Sequence, residues 1–175
     1  MTDAAFPWHG GRPSVNFTAT LGKRGGQAFD RLRTPADLAR WFHEAGLADH
    51  PLKASARNLD DARLLREALY AAFTATDADL DVLNHWAGRA IPGGRLERRT
   101  DGLKLRPPRT DLEGMLTLVA QDGTNLLSGP LAPRIRECGR DDCWLLFVDE
   151  SRAANRRWCS METCGARTKM ARYRA

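Results

Sequence analysis

All four cysteines of this chain lie near its C-terminal end, in two pairs of equal spacing. The pairs are Cys138-x4-Cys143 and Cys159-x4-Cys164, and fifteen residues separate them. Each pair can close a tight turn that directs two sulfur atoms to one point, and the linker is long enough for the second turn to return to the first. Because four thiolates complete the tetrahedral shell that Zn²⁺ prefers, the pattern predicts one structural zinc ion, with no open position for a catalytic water.

Two other uses of the cysteines remain open from the spacing alone, namely two disulfide bonds or a redox-active pair. The first eight residues contain neither the basic segment nor the apolar segment of a secretory signal, which disfavours the oxidising compartment that disulfides need. A redox pair usually has the tighter C-x-x-C spacing, which the sequence lacks. We therefore expect reduced cysteines in a cytoplasmic protein.

The residues around and after the second cysteine pair are strongly basic. From Ser151 to the C-terminus, seven basic residues accompany one acidic residue, Glu162, giving a local net charge of +6, whereas the whole chain carries +5. A four-thiolate zinc site carries about −2 and would offset part of this excess. The remainder predicts a surface for phosphate groups, with a solvated basic tail as the alternative. The predicted nucleic-acid contacts are Arg152, Arg156, Arg157, Arg167, Lys169, Arg172 and Arg174.

Length and composition favour one domain followed by a small module. Hydrophobic residues make up 42% of the 175 residues and charged residues 28%, as in globular proteins. No apolar run approaches the roughly eighteen residues that a membrane-spanning helix needs, so we expect no membrane partner. We predict an α+β fold. A mainly helical domain with a short strand and a β-hairpin occupies residues 1–130, and a treble-clef-like or knuckle zinc-binding module occupies residues 131–175.

The first third of the chain shows three local patterns. Residues 1–13 are rich in Gly and Pro and predict a loose arm. Residues 15–21 alternate apolar with polar side chains and predict a short strand. Thr34 and Pro35 are typical of a helix start, and Gly46 is typical of its end.

Apolar periodicity and turn residues organise the middle of the chain. Helices are predicted over residues 52–76, over residues 77–88, and from Asp111 onward, where Gly123 is expected to weaken the last turns. The Asp101-Gly102 turn predicts a β-hairpin between residues 96–99 and 103–106. In the C-terminal module, the apolar run 144–148 predicts a buried strand, and Ser151 is a candidate cap for a following helix.

The C-terminal forty residues resemble the CGNR zinc finger family. The resemblance rests on Leu146-Phe-Val-Asp-x-Ser151, on Arg156-Arg-Trp-Cys-Ser160 and on Cys164-Gly-Ala-Arg-x-Lys169. The asparagine that gives the family its name is replaced by Ala166, so a base or phosphate contact of that asparagine would be lost here. Arg167 and Lys169 are retained.

The N-terminal part resembles the ABATE domain, which accompanies CGNR fingers in proteins described as stress-induced transcription regulators. The matching features are Val15-Asn16-Phe17, the helix with Thr34, Leu38 and Trp41, and the helix with Leu64-Leu-Arg-Glu-Ala-Leu69. Their order, ending in the zinc module, carries more weight than any one of them. The resemblance implies a transcription regulator.

No catalytic constellation is visible in the sequence, so we do not expect an enzyme. His43-Glu44 begins like the zinc-protease motif H-E-x-x-H, but the second histidine is missing. Aromatic residues with polar neighbours instead suggest a small-molecule pocket, although the same residues would equally serve as core. The candidate pocket residues are Asn16, Trp41, His43 and Trp86.

These observations combine into one hypothesis about function. We expect a zinc-dependent regulator that binds double-stranded DNA, associates with the nucleoid when bound, and responds to a small-molecule effector or stress signal through its N-terminal domain. Because one small module binds weakly, a homodimer is expected if the protein reads a specific DNA site. The alternatives are an RNA-binding module and a protein-interaction adaptor with a structural zinc site.

Overall fold

The computed structural model describes residues 5–174, and its description of side chains ends at residue 170. Within these residues the chain mixes helices with short antiparallel strand pairs, which confirms the α+β class. The helices are α1 (Pro13–Thr18), α2 (Pro35–Glu44), α3 (Ala56–Phe73), α4 (Leu80–Ala87), α5 (Leu112–Ser128) and α6 (Ala166–Arg174). The strand pairs are β1 (Leu21–Gly22) with β2 (Phe29–Asp30), β3 (Arg95–Arg99) with β4 (Gly102–Arg106), and β5 (Ile135–Glu137) with β6 (Leu146–Val148).

Local capping explains where the predicted helices begin. The Thr34 hydroxyl accepts the Asp37 N–H at 3.2 Å, and the Asp37 carboxylate accepts the Thr34 N–H at 3.0 Å. Ser55 and Asn58 form the same reciprocal pair at the start of α3. Each pair satisfies donors that a helix end leaves free. The predicted helices of the middle region and the β3–β4 hairpin are confirmed.

The strand predicted over residues 15–21 is wrong, because most of this segment forms α1. Pro13 occupies the first helical position. The Asp122 carboxylate, contributed by α5, accepts the Ser14 N–H at 2.9 Å and the Ser14 hydroxyl at 2.6 Å. Arg12 forms an ion pair with the same carboxylate. The cap of α1 therefore comes from a residue 108 positions away, which overrides the local alternation.

The loose arm predicted over residues 1–13 is wrong for its described part. Phe6 is only 4% exposed, and the Trp8 ring lies 5.7 Å from the Trp41 ring, centroid to centroid. The carbonyl of Gly10 accepts the Val148 N–H at 2.9 Å. Residues 5–10 are thus packed onto both α2 and the C-terminal module.

The helix α1 lies at the centre of the hydrophobic core, against α3, α5 and β6. Strand β6 faces two ways. Its Leu146 and Val148 side chains join the main core, whereas Phe147 joins the cysteines, because successive side chains of a strand point to opposite sides. The division at residue 130 stays a prediction. The structure adds that the two parts share a hydrophobic core through β6.

No helix in the described residues combines the length and the apolar character needed to cross a membrane. The β3–β4 hairpin projects from the body and leaves Leu96, Leu103 and Leu105 more than half exposed.

Gly123 allows α5 to approach its neighbours closely and does not end the helix, which continues to Ser128. A Cβ atom at this position would lie 2.3 Å from Cδ2 of the fully buried Leu69 and 3.4 Å from Cβ of Ser14. The expectation that Gly123 weakens the last turns omits this packing requirement.

We predict that Gly123→Ala destabilises the protein. Alanine is favoured in a helix by up to about 1 kcal/mol, but overpacking typically costs about 1–3 kcal/mol, so the net loss should be roughly 1 kcal/mol. Denaturant unfolding measures this change in the free energy of unfolding. Asn125→Ala, on the exposed side of the same helix, is the control and should be neutral or slightly stabilising. A more stable Gly123→Ala protein would contradict the packing argument.

Candidate metal centre and the basic surface around it

The four cysteine sulfurs form one cluster. All four Sγ atoms lie within 4.8 Å of one another. The Sγ–Sγ distance is 3.7 Å for Cys143–Cys159, 3.6 Å for Cys159–Cys164 and 3.6 Å for Cys164–Cys143. Sulfurs at the corners of a tetrahedron with Zn–S bonds of about 2.3 Å are about 3.8 Å apart, whereas a disulfide needs about 2.05 Å. The geometry fits a shared metal ion and no disulfide bond.

Two short turns present the sulfurs. In the first, between β5 and β6, the Cys138 N–H donates to the Leu145 carbonyl at 2.9 Å and the Cys143 N–H to the Arg140 carbonyl at 3.0 Å. The second is a π-helical turn, Met161–Gly165, in which the Ser160 hydroxyl accepts the Thr163 N–H at 3.2 Å. It runs directly into α6. A strand-pair turn, a second turn and a helix are the parts of the predicted treble-clef-like module.

Electrostatics explain why such a cluster needs a cation. The hydrogen bond with Cys143 and burial raise the pKa of Cys159, and burial raises the pKa of Cys138 to about 11. The hydrogen bond with Cys159 lowers the pKa of Cys143 to about 5. One thiolate therefore forms readily and opposes ionisation of its neighbours. Zn²⁺ supplies the positive charge that allows all four sulfurs to ionise, and these residues fit one structural zinc ion.

The Arg156 side chain is held within the module by hydrogen bonds, whereas its neighbours Arg152 and Arg157 are exposed. Its Nε donates to the Trp158 carbonyl at 2.9 Å, and its Nη2 donates to the carbonyls of Cys159 and His9. The guanidinium carbon lies 4.3 Å from the centroid of the Phe147 ring. Arg156 thus ties the second cysteine turn to the N-terminal segment, and we leave it out of the phosphate-binding surface proposed below.

The other predicted phosphate-binding residues lie at the surface as far as the side chains are described. The α6 helix includes Arg172 and Arg174, but their side chains lie outside the described part of the structure. The exposed members of the set are Arg152, Arg157, Arg167 and Lys169.

The helix predicted after Ser151 is wrong, and Asp149 is the reason. The buried Asp149 carboxylate accepts the Ser151 hydroxyl at 2.5 Å, the Ser151 N–H at 3.0 Å and the Arg156 N–H at 2.9 Å. These bonds lower the pKa of Asp149, the Ser151 hydroxyl contributing most. They hold residues 149–156 as a loop, because Asp149 takes the Arg156 N–H, which a helix beginning at Ser151 would direct to the carbonyl of Arg152, and because Ala154 has a left-handed φ of 50°.

The contact between the N-terminal domain and the first cysteine turn has no signal in the sequence. Trp144 packs on Gly25, where a Cβ atom would lie only 2.4 Å from the indole ring. The Tyr70 hydroxyl donates to the Glu137 carboxylate at 3.0 Å, which contributes, after burial, to raising the pKa of Tyr70 to about 12. Both contacts join residues more than sixty positions apart, so neither apolar periodicity nor motif spacing in the sequence predicts them.

The structure does not bring the four candidate pocket residues together. Trp41 is fully buried in an aromatic cluster, and the Asn16 side chain accepts the Gly10 N–H at 2.8 Å. His43 is exposed, with Nδ1 3.1 Å from the Ala48 carbonyl. Trp86 lines a separate cleft of about 490 Å³, beside residues of α3 and α5. A pocket built from all four residues is therefore not formed.

Comparison with family models gives two matches. Residues 11–130 match ABATE, described as "Putative stress-induced transcription regulator", and residues 134–175 match the CGNR zinc finger. Neither description names a catalytic activity. A comparison with curated proteins gives no match. Both resemblances inferred from the sequence are confirmed.

We predict that Cys143→Ser removes the zinc ion and destabilises the module. A serine hydroxyl is a poor substitute for a thiolate at Zn²⁺, and the small core around Phe147 depends on the metal. Metal analysis should find well under one zinc per chain, and thermal unfolding should begin at a lower temperature. Thr163→Ala, at an exposed position of the second cysteine turn, should retain one zinc. A Cys143→Ser protein with full zinc content would show that the ligand set is different.

Proposed function

Because the chain belongs to the ABATE family of transcription regulators and ends in a CGNR zinc finger, we propose that it is a zinc-dependent regulator that binds double-stranded DNA through its zinc module. One observation carries this proposal. Within the described part of the chain, the exposed cations of the module have no acidic partner in an ion pair. These cations are Arg136, Arg152, Arg157, Arg167 and Lys169.

Unpaired surface cations favour phosphate because binding releases the counterions of DNA. Zinc holds the module rigid, so little order has to be gained on binding. The α6 helix, roughly 13 Å long at 1.5 Å per residue, carries Arg167 and Lys169 in its first turn and extends the basic sequence to Arg174. A helix of this kind fits the major groove, where arginine and lysine reach guanine edges.

The first residue of α6 affects how many base contacts this chain can make. Ala166 occupies the position of the family asparagine and is exposed. The methyl side chain of Ala166 can neither donate nor accept a hydrogen bond. The polar contacts with DNA at the start of α6 therefore come from Arg167 and Lys169. The protein therefore contacts DNA mainly through phosphate groups and makes few contacts with bases.

The homodimer, the effector, the cytoplasmic location and the association with the nucleoid stay predictions. A dimer would double the number of phosphate contacts, which a single small module needs for tight binding.

The cleft lined by Trp86 has His85, Arg89 and Glu113 in its wall, and it is the candidate effector site that replaces the four-residue pocket.

We predict that Arg157→Ala weakens DNA binding through loss of one phosphate contact. In fluorescence anisotropy across a salt series, the slope of log affinity against log salt should become about one unit less steep, with zinc content unchanged. Arg57→Ala is the matched control, because this arginine is also exposed but lies at the far end of α3, roughly 20 Å from the Tyr70–Glu137 contact. It should bind like the wild type.

The neighbouring variant Arg156→Ala separates structure from binding. It should lower the unfolding temperature, because three backbone carbonyls lose their donor. Absence of wild-type binding to duplex DNA, even at low salt, would contradict the proposed function. Stronger binding to RNA in competition would favour the RNA-binding alternative, and capture of an acidic protein from nuclease-treated lysate by wild type but not by Arg157→Ala would favour the adaptor.

A further inference from the structure

A basic cleft lies between the β1–β2 turn of the N-terminal domain and the zinc module. Its volume is about 260 Å³. Lys23 and Arg31 line it from the N-terminal domain, and Arg140 and Arg167 line it from the zinc module. Asp142 is the one acidic residue of its lining. The zinc module was the expected source of positive charge, but two of these four cations come from the other part of the chain.

Two of the cations are already engaged. Arg140 donates to Asp142 at 2.5 Å, and against the opposing effect of burial, Asp142 first and the Cys164 sulfur second raise the pKa of Arg140. The Arg31 guanidinium donates to the carbonyls of Ala5 and Ala19, each at 3.1 Å. These arginines offset Asp142 and the thiolates, so the cleft does not become negative.

The other two cations, Lys23 and Arg167, are exposed, and neither has an ion-pair partner among the residues that the structure describes. Both line the same cleft, Lys23 from the N-terminal domain and Arg167 from the zinc module. Two unpaired cations on the wall of one cleft, with engaged arginines behind them, favour an anion small enough to touch both.

The backbone holds Lys23 in place beside the zinc module. Its φ of 54° lies in the left-handed region, which a non-glycine residue rarely adopts. The Gly26 N–H donates to the Lys23 carbonyl at 3.0 Å, which closes the turn. Gly25, inside this turn, packs against Trp144 of the module. The backbone position of Lys23 in this structure is therefore set by the hydrogen bond of the turn and by the contact of Gly25 with Trp144.

We infer that Lys23 and Arg167 bind the same phosphate of the DNA backbone, so that the N-terminal domain is part of the DNA-binding surface. The inference rests on the proposed function, because Arg167 belongs to the basic surface of the zinc module. A second cleft of about 490 Å³ shares Gly22, Lys23 and Arg31 and continues the surface along β1–β2 to Phe29. The phosphate contact thereby extends the DNA path beyond the module.

The test uses the full-length, zinc-loaded protein and a duplex DNA probe. Lys23→Gly suits the left-handed backbone and should keep the wild-type unfolding temperature and zinc content. It should weaken binding roughly three- to tenfold at moderate salt and make the log–log salt slope about one unit less steep. Lys53→Ala removes an exposed lysine before α3 and is the matched control, expected to bind like the wild type.

A double variant tests whether the two cations share a phosphate. If they do, Lys23→Gly combined with Arg167→Ala should lose less affinity than the product of the two single losses, and its slope should change little beyond that of either single variant. Lys53→Ala combined with Arg167→Ala should show independent effects. Independent effects for Lys23 and Arg167 would overturn the shared phosphate.

The outcomes distinguish this inference from the proposed function. If Arg157→Ala weakens binding while Lys23→Gly binds DNA like the wild type, the role of the N-terminal domain is wrong and DNA binding by the module stands. If the wild type itself does not bind duplex DNA, the proposed function is wrong, and this inference is wrong with it.

Discussion

Strand β6 is the constraint on which both halves of the structure depend. Its three residues send Leu146 and Val148 into the main core and Phe147 toward the cysteines. Its Val148 N–H also donates to Gly10 in the N-terminal segment. Because the strand follows the first cysteine turn directly, the zinc ion fixes one end of an element that the N-terminal domain buries. The binding free energy of zinc therefore stabilises more than the forty residues around it.

Neighbouring arginines in this module have different roles, which a charge count cannot separate. Arg156 donates to backbone carbonyls on two segments and stacks on Phe147, while Arg157 is exposed. Arg140 is held by Asp142 near the thiolates. Part of the local net charge of +6 thus serves the structure. The exposed cations of the proposed DNA-binding surface are fewer than the sequence suggests, and one of them, Lys23, comes from the domain that is nearly neutral overall.

What could be predicted from the sequence is what local chemistry determines. The cysteine spacing, the Thr34 cap and the Asp101-Gly102 turn each act within a few residues, and the zinc cluster, α2 and the β3–β4 hairpin follow from them. The α1 helix could not be predicted, because its cap is Asp122 on another helix. The Asp149 loop was missed because its carboxylate accepts the Arg156 N–H seven positions ahead, which a helix would direct to the carbonyl of Arg152. The cleft is lined by both Lys23 and Arg167, which are 144 positions apart, and apolar periodicity in the sequence does not predict such a long-range approach.

The shared core also limits how the proposed signal could pass from the N-terminal domain to the proposed DNA-binding surface. A rotation of the zinc module as a rigid body would expose Leu146 and Val148, at a cost of about 1.5–3 kcal/mol for each side chain. Small-molecule binding would have to supply that difference between two states. The β1–β2 turn offers a less costly route, because Phe29 and Lys23 are exposed and the turn contacts the module through Gly25 and Trp144. A shift of this turn would move Lys23 relative to Arg167 while the cores of both parts remain closed.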